Sequence, residues 1–167
     1  MPEKKPDMTP DIALVPEKTL LGLHRTMSLA EDHTQALWRA FMPLRHSIAH
    51  RCHEDLFSLQ VYPKGYFADF NPQRTFEKWA TVEVSSTENI PQGMAVFQLP
   101  AGLYAVFPHR GTEDTNAKFQ YIFTEWLPAS GFDLDERPHF ERLGKGYRPG
   151  APDSEESIWI PIRKRGE

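Results

Sequence analysis

Apolar and polar positions alternate in several short stretches and recur at helical spacing in two longer ones. Between Leu56 and Tyr62, Phe57, Leu59 and Val61 alternate with Ser58, Gln60 and Tyr62; between Trp79 and Ser85, Ala80, Val82 and Val84 alternate with Trp79, Thr81 and Glu83. A period of two puts each set on one face of a strand, so the pattern predicts two half-buried strands that pair. Ile12 to Met27 and Ala95 to Pro108 are apolar and β-favouring, the second ended by Gly111. Pro138 to Leu143 and Ser157 to Arg163 read as two further strands, the latter with Ile158, Ile160 and Ile162 inward and Trp159 opposite. Leu37, Ala40, Phe41, Leu44 and Ile48 define one helical stripe, and Phe119, Ile122, Phe123, Trp126 and Leu127 a second. The first helix is expected over Leu29 to Arg51, opened by a capping box of Ser28 and Glu31 and kinked or ended at Pro43. The second is expected over Thr112 to Leu127, opened by the polar and acidic Thr112–Asp114 and stopped by Pro128, Ser130 and Gly131. Pro63 to Lys78, with Gly65, Asn71-Pro72 and the rings of Tyr66, Phe67, Phe70 and Phe76, reads as a loop anchored by its own aromatics.

The two halves share a signature. Trp38 to Pro43 and Phe123 to Pro128 both run aromatic, two residues, aromatic, apolar, Pro, and each is followed by two strands at similar spacing. This predicts an α+β chain of two pseudo-symmetric strand-helix-strand-strand repeats, one over about 12–88 and one over about 94–164, with antiparallel sheets and a central ligand cleft. Both helices are expected on the same side of the sheets, and the opposite sheet faces are expected to form the cleft. Residues 1–11, with three prolines and alternating charges, read as a disordered tail before a single domain over 12–164.

Composition narrows the function. The 167 residues suffice for one domain that buries roughly 70% of its extended surface. Lys and Arg total 19 against 23 Asp and Glu, a formal charge of −4, so no basic footprint for a phosphate backbone exists and direct nucleic acid binding is not expected. No stretch approaches the ~18 apolar residues of a membrane span, and the opening segment lacks an apolar signal core; a cytoplasmic protein without membrane attachment is expected. One cysteine, Cys52, cannot make an internal disulfide and fits a reducing compartment. His46 and His50 sit at i,i+4 near His53 and Cys52, but no fourth ligand is secured, so no metal and no cofactor are assigned. Cys52 has no Cys-His-Asn set around it, and no catalytic residue is assigned.

Four segments in order carry a resemblance: Gly102 to Gly111, Glu125 to Gly131, Arg137-Pro138-His139-Phe140-Glu141, and Ile158 to Ile162. Together they resemble the GyrI-like, or AraC-type effector-binding, domain family, over roughly Ile12 to Lys164 and more weakly in the first half. The resemblance implies a pseudo-two-fold α+β fold with a central cleft that, in multidrug-sensing relatives, takes lipophilic and often cationic molecules. Relatives that act as transcription factors carry an amino-terminal DNA-binding region; with only about eleven residues ahead of the first strand, this chain is not expected to be such a regulator by itself. Many relatives also place a Tyr two residues after the strand glutamate, where this chain has Leu143.

Strand parity places Gln60, Tyr62, Trp79, Glu83, His139, Glu141 and Trp159 on the face away from the helices, and together with Phe107 these are the expected ligand-binding residues. Rings beside a carboxylate suit a flat organic cation, since each ring face adds about 0.5–2 kcal/mol of cation–π attraction. By the resemblance Glu141 is the family's buried acid; the residues alone favour a surface pair with Arg110, Arg142 or another cation. Glu83 is the secondary acid. The leading expectation is a stand-alone small-molecule binding protein for lipophilic or cationic amphipathic compounds, in drug or toxin sensing or sequestration. The first alternative is a hydrolase of electrophilic small molecules using the cleft glutamate; the second is a gyrase-inhibitor-like interaction module, with a protein partner or a homodimer.

Overall fold

The computed structural model describes residues 9–68, 71–111, 115–148 and 151–166. Nine strands are present among them: β1 (Asp11–Val15), β2 (Lys18–Ser28), β3 (Arg51–Val61), β4 (Thr75–Val84), β5 (Ala95–Leu99), β6 (Gly102–Arg110), β7 (Phe132–Leu134), β8 (His139–Leu143) and β9 (Glu155–Lys164). Helix α1 (Thr34–Leu44) lies between β2 and β3; α2 (Thr115–Tyr121), a π-helical turn (Ile122–Trp126) and α3 (Leu127–Ser130) run without a break between β6 and β7. Most of the expected tail, and the expected helix start at Thr112–Asp114, lie outside the described residues, while Asp11 already belongs to β1.

All pairings are antiparallel, in the order β1-β6-β9-β8-β3-β4-β2-β5, with β7 on β9. The order is the same read from either end when β1, β2, β3 and β4 are exchanged with β5, β6, β8 and β9. The registers agree: Lys18 lies opposite Leu99 in one half, and Gly102 opposite Val15 in the other. Each repeat therefore hands its first strand to its partner repeat, a feature the sequence pattern did not separate, because β1 and β2, like β5 and β6, read as single apolar runs broken only by Pro16-Glu17 and Pro100-Ala101. The central row of the sheet is Leu23, Ala80, Ser58, Glu141, Ile158, Phe107. Ala80 and Ile158 occupy matching places in the two aliphatic rows, so Ser58 and Glu141 are equivalents, and the pseudo-two-fold axis passes between them.

Burial is on both sheet faces. On one, α1 packs with Leu21, Phe76, Ala80, Val82 and Val84, while the α2–α3 rod packs with Ala105, Phe107, Ile158, Ile160 and Ile162. On the other, Val15, Leu20, Phe57, Leu59, Trp79, Leu99, Tyr104 and Phe140 form a core with no helical residue in it. Val15 and Leu99 come from opposite sheet edges yet share this cluster, so the sheet curls and closes its inner face on itself, as right-handed twist accumulated over many strands allows. This overturns the expected cleft on the face away from the helices: that face is packed shut.

Local chemistry explains the helix boundaries. Ser28 and Glu31 do bond, the Ser28 Oγ accepting from Glu31 N at 3.0 Å, but they close a turn, and α1 begins three residues later, where the Asp32 carboxylate accepts from Thr34 N at 2.8 Å. Pro43 sits in the last turn of α1, and the chain tightens into a short 3₁₀ turn, Arg45–Ser47. In the second repeat the π turn precedes Pro128, whose ring lacks an N–H and crowds the carbonyl four residues back; the wider turn relieves that crowding. Gly131, at φ +83°, then ends the rod in the left-handed conformation.

Candidate functional site

The helices cover the flanks of the sheet, and its middle is covered by the loop after β3, whose Phe67 lies against both His139 and Phe123. α1 lies over β2 and β4, the α2–α3 rod over β6 and β9, and between them β3 and β8 turn Ser58, Gln60, Tyr62, His139 and Glu141 outward. Parity identified this alternation correctly but assigned it to the wrong face: Phe57, Leu59 and Val61 fill the inside of the curl, so in the two central strands the polar set faces the helices.

Glu141 sits at the centre. Ser58 and Ile158 are its cross-strand neighbours, and no hydrogen-bond or ion-pair partner reaches its carboxylate among the described residues. Burial raises its pKa above the usual carboxylate value, partly opposed by the Lys78 ammonium, which projects from the same face of β4. The two arginines that could have neutralised it at the surface are engaged elsewhere: Arg142 donates to Asp55 at 2.7 Å, and Arg110 lies 3.4 Å from Glu155. A desolvated carboxyl without a partner is costly, so this one is retained against stability.

Aromatic rings wall the cleft. Tyr62 packs on Tyr66, Phe67, Phe76 and His139 at centroid distances of 4.6, 4.8, 5.1 and 5.0 Å. Phe67 stacks on His139 at 5.4 Å and on Phe123 of the π turn at 5.4 Å, so the loop after β3 meets the second helix across the cleft. Burial alone lowers the His139 pKa to about 3, leaving a neutral ring, and burial, with Tyr66 and Glu141 nearby, raises that of Tyr62. A cavity of about 170 Å³ opens beside this wall, lined by Tyr62, Tyr66, Phe67, Arg137 and His139 among others.

The remaining expected site residues lie elsewhere. Trp79 is 5% exposed in the curled core, with the exposed His24 ring stacked on it at 4.3 Å. Trp159 stacks on Phe140 at 5.1 Å on that same inner side, and its indole N–H donates to Ser157. Glu83 pairs with His53 at 3.0 Å and Lys18 at 3.3 Å. Phe107 shares the central row with Glu141 but is buried under the second helix against Trp126. Among the described residues no cluster of three or more His, Cys, Asp or Glu could hold a metal. Sequence reading missed Lys78, Tyr147 and Glu156; Glu156 was accessible in principle, since it shares the parity of Ile158 and Ile160.

Glu156 is a second desolvated acid. Its pKa is raised to about 7, by burial first and by the Glu141 carboxylate second, with Lys78 and Lys118 opposing. His109 Nε2 lies 3.7 Å from it. Burial, Glu156 and Glu141 together raise the Tyr147 pKa, so this phenol borders both acids.

The sequence model of the Cass2 family, described as integron-associated effector binding protein, matches residues 11–162. The chain belongs to this family. It is 32% identical over 149 residues to the transcriptional regulator BrlR of Pseudomonas aeruginosa, covering 88% of this chain and 53% of that one. It is 35% identical over 75 residues to a DNA gyrase inhibitor of Erwinia billingiae, covering 44% and 47%. The Cass2-family chain thus spans about half the length of the curated relatives it matches. Among solved structures it shares its fold with SAV2435 bound to tetraphenylphosphonium (TM-score 0.67, 16% identity, 93% and 94% covered) and with the integron cassette protein VCH_CASS2 of Vibrio cholerae (0.64, 12%, 92% and 95%). No helix among the described residues is long and apolar enough to cross a membrane.

Proposed function

We propose that this Cass2-family protein binds lipophilic, cationic small molecules in the cleft between its two helices, with Glu141 as the counter-ion, in sensing or sequestration of such compounds. The observation that carries this reading is the Glu141 carboxylate, held beside the pseudo-two-fold axis behind a wall of aromatic rings, with no partner among the described residues. A cation entering there exchanges its own hydration for ring faces and an already desolvated charge, which makes the pairing stronger than in water. The relative SAV2435 is seen with tetraphenylphosphonium, a cation of this kind. The hydrolase alternative receives less support: the position two residues after Glu141 is Leu143, buried and packed with the α1 core, so no hydroxyl stands ready there.

A thermal-shift comparison tests the reading. Tetraphenylphosphonium should raise the melting temperature, by the equivalent of about 2.7 kcal/mol at a hundred times its Kd, while the neutral triphenylphosphine oxide at the same concentration raises it far less. Equal shifts from both, or none from the cation, would overturn the cationic reading; hydrolysis of an aryl ester lost on Glu141→Gln would move the protein to the hydrolase class.

A further inference from the structure

The floor of the cleft around Glu141 is polar, and its polar groups are unpaired. Ser58 stands directly opposite Glu141, and Gln60 directly opposite His139, two residues along the same strands and on the same face. Side chains so placed start about 5 Å apart across the strands and about 6.5–7 Å apart along them, so the four form one compact patch. Ser58 is 3%, Gln60 8% and His139 6% exposed, yet among the described residues none of these side chains has a hydrogen-bond or ion-pair partner. Buried polar side chains can be satisfied in this sheet: the Thr81 hydroxyl donates to the Phe57 carbonyl at 2.9 Å, and that of Tyr104 to the Pro138 carbonyl at 2.7 Å. Buried polar groups are ordinarily bonded, so four unpaired ones side by side mark a place built for a polar guest. The cavity of about 170 Å³ begins at the Tyr62 and His139 end of this patch, between the rings of Tyr66 and Phe67, and gives the apolar body of such a guest its place.

We infer that the preferred ligands are aromatic cations that carry N–H donors, ammonium or amidinium rather than quaternary ions, with Ser58 and Gln60 selecting them by accepting hydrogen bonds beside Glu141. The inference rests on the cation-binding role proposed for Glu141 and names which cations that role serves. A quaternary ion or a phosphonium has no hydrogen to donate; it uses the charge and the rings and leaves Ser58, Gln60 and His139 as they were. An ammonium ion gives up hydrogen bonds to water on entering, and a site of rings alone returns none of them. Here the Glu141 carboxylate, the Ser58 hydroxyl oxygen and the Gln60 amide oxygen are three acceptors on one face for its three N–H groups. Bonds to a charged donor are also the stronger kind, so this patch reverses the advantage that easy dehydration gives a quaternary ion.

The test titrates (biphenyl-4-yl)methylammonium and its N,N,N-trimethyl counterpart at neutral pH, where the two share rings and charge and differ in N–H donors. The wild type should bind the ammonium compound tighter by about 10-fold or more. In Ser58→Ala and in Gln60→Leu that ratio should fall by about 3-fold or more, and in the double variant it should come to within about 3-fold of unity, while affinity for the trimethyl compound stays within about 3-fold of wild type throughout. A melting curve for each variant shows that it is folded, and Ser58→Ala, which only trims an unpaired hydroxyl, carries the test should Gln60→Leu fail to fold. A wild type that binds the trimethyl compound as tightly or more tightly, or a ratio that survives both substitutions, overturns the selection by Ser58 and Gln60 while leaving the cation-binding role of Glu141 in place. If neither compound binds the wild type, both fall.

Discussion

Groups facing the cleft have pKa values displaced from those they have in solvent, and this predicts how stability follows pH. His139, with its pKa lowered to about 3, stays neutral in the folded protein, whereas in the unfolded chain it takes up a proton below its ordinary value of 6.5. The unfolded state therefore binds more protons between about pH 3 and 6.5, and stability is lost as pH falls through that window. Glu156 acts with the opposite sign: with its pKa raised from 4.5 to about 7, the folded state holds the extra proton, and stability is lost as pH rises from about 4.5 to 7. Glu156→Gln removes only the second effect. Denaturant melts should show its stability relative to wild type growing between pH 4.5 and 8 by on the order of 1–3 kcal/mol; an equal difference at both pH values would contradict the desolvated environment assigned to this acid.

Among the elements, β3 and β8 show how much the sequence can tell. Their alternation was readable, and so was the helix-facing row of Ala80, Val82 and Val84 with Ile158, Ile160 and Ile162. What could not be read was which face of the central strands met the helices, because both faces carry large side chains: Phe57 and Leu59 on one, Tyr62 and His139 on the other. Local alternation reports that two faces differ, and only the curl of the sheet decides which is inside. Trp79 illustrates the consequence. As a cleft residue its loss would weaken ligand binding more than folding; as part of the inner core, Trp79→Ala should cost about 3–5 kcal/mol of stability while the affinity of the folded protein for tetraphenylphosphonium stays within about 3-fold of wild type. A large loss of affinity at unchanged stability would return this indole to the site.

Over the whole molecule, duplication produces both the fold and the site. The aromatic-aromatic-apolar-Pro signature at Trp38 to Pro43 and Phe123 to Pro128 was enough to anticipate two repeats and helices on one side of the sheet, because it recurs within one chain and needs no outside comparison. The exchange of β1 and β5 between repeats was not legible, since pairing across sequence depends on register and leaves no local periodicity. Symmetry also explains why a single acid occupies the centre: the axis passes between Ser58 and Glu141, so the two repeats contribute one place each, and only one holds a charge. The central claim is that this charge receives a cationic ligand, and isothermal titration of wild type and Glu141→Gln with tetraphenylphosphonium tests it most directly. Loss of an interaction with a charged group, about 1.5–3 kcal/mol, predicts a Kd some 10- to 100-fold weaker in Glu141→Gln with its melting temperature at or above that of wild type; equal affinity in the two proteins would contradict the account.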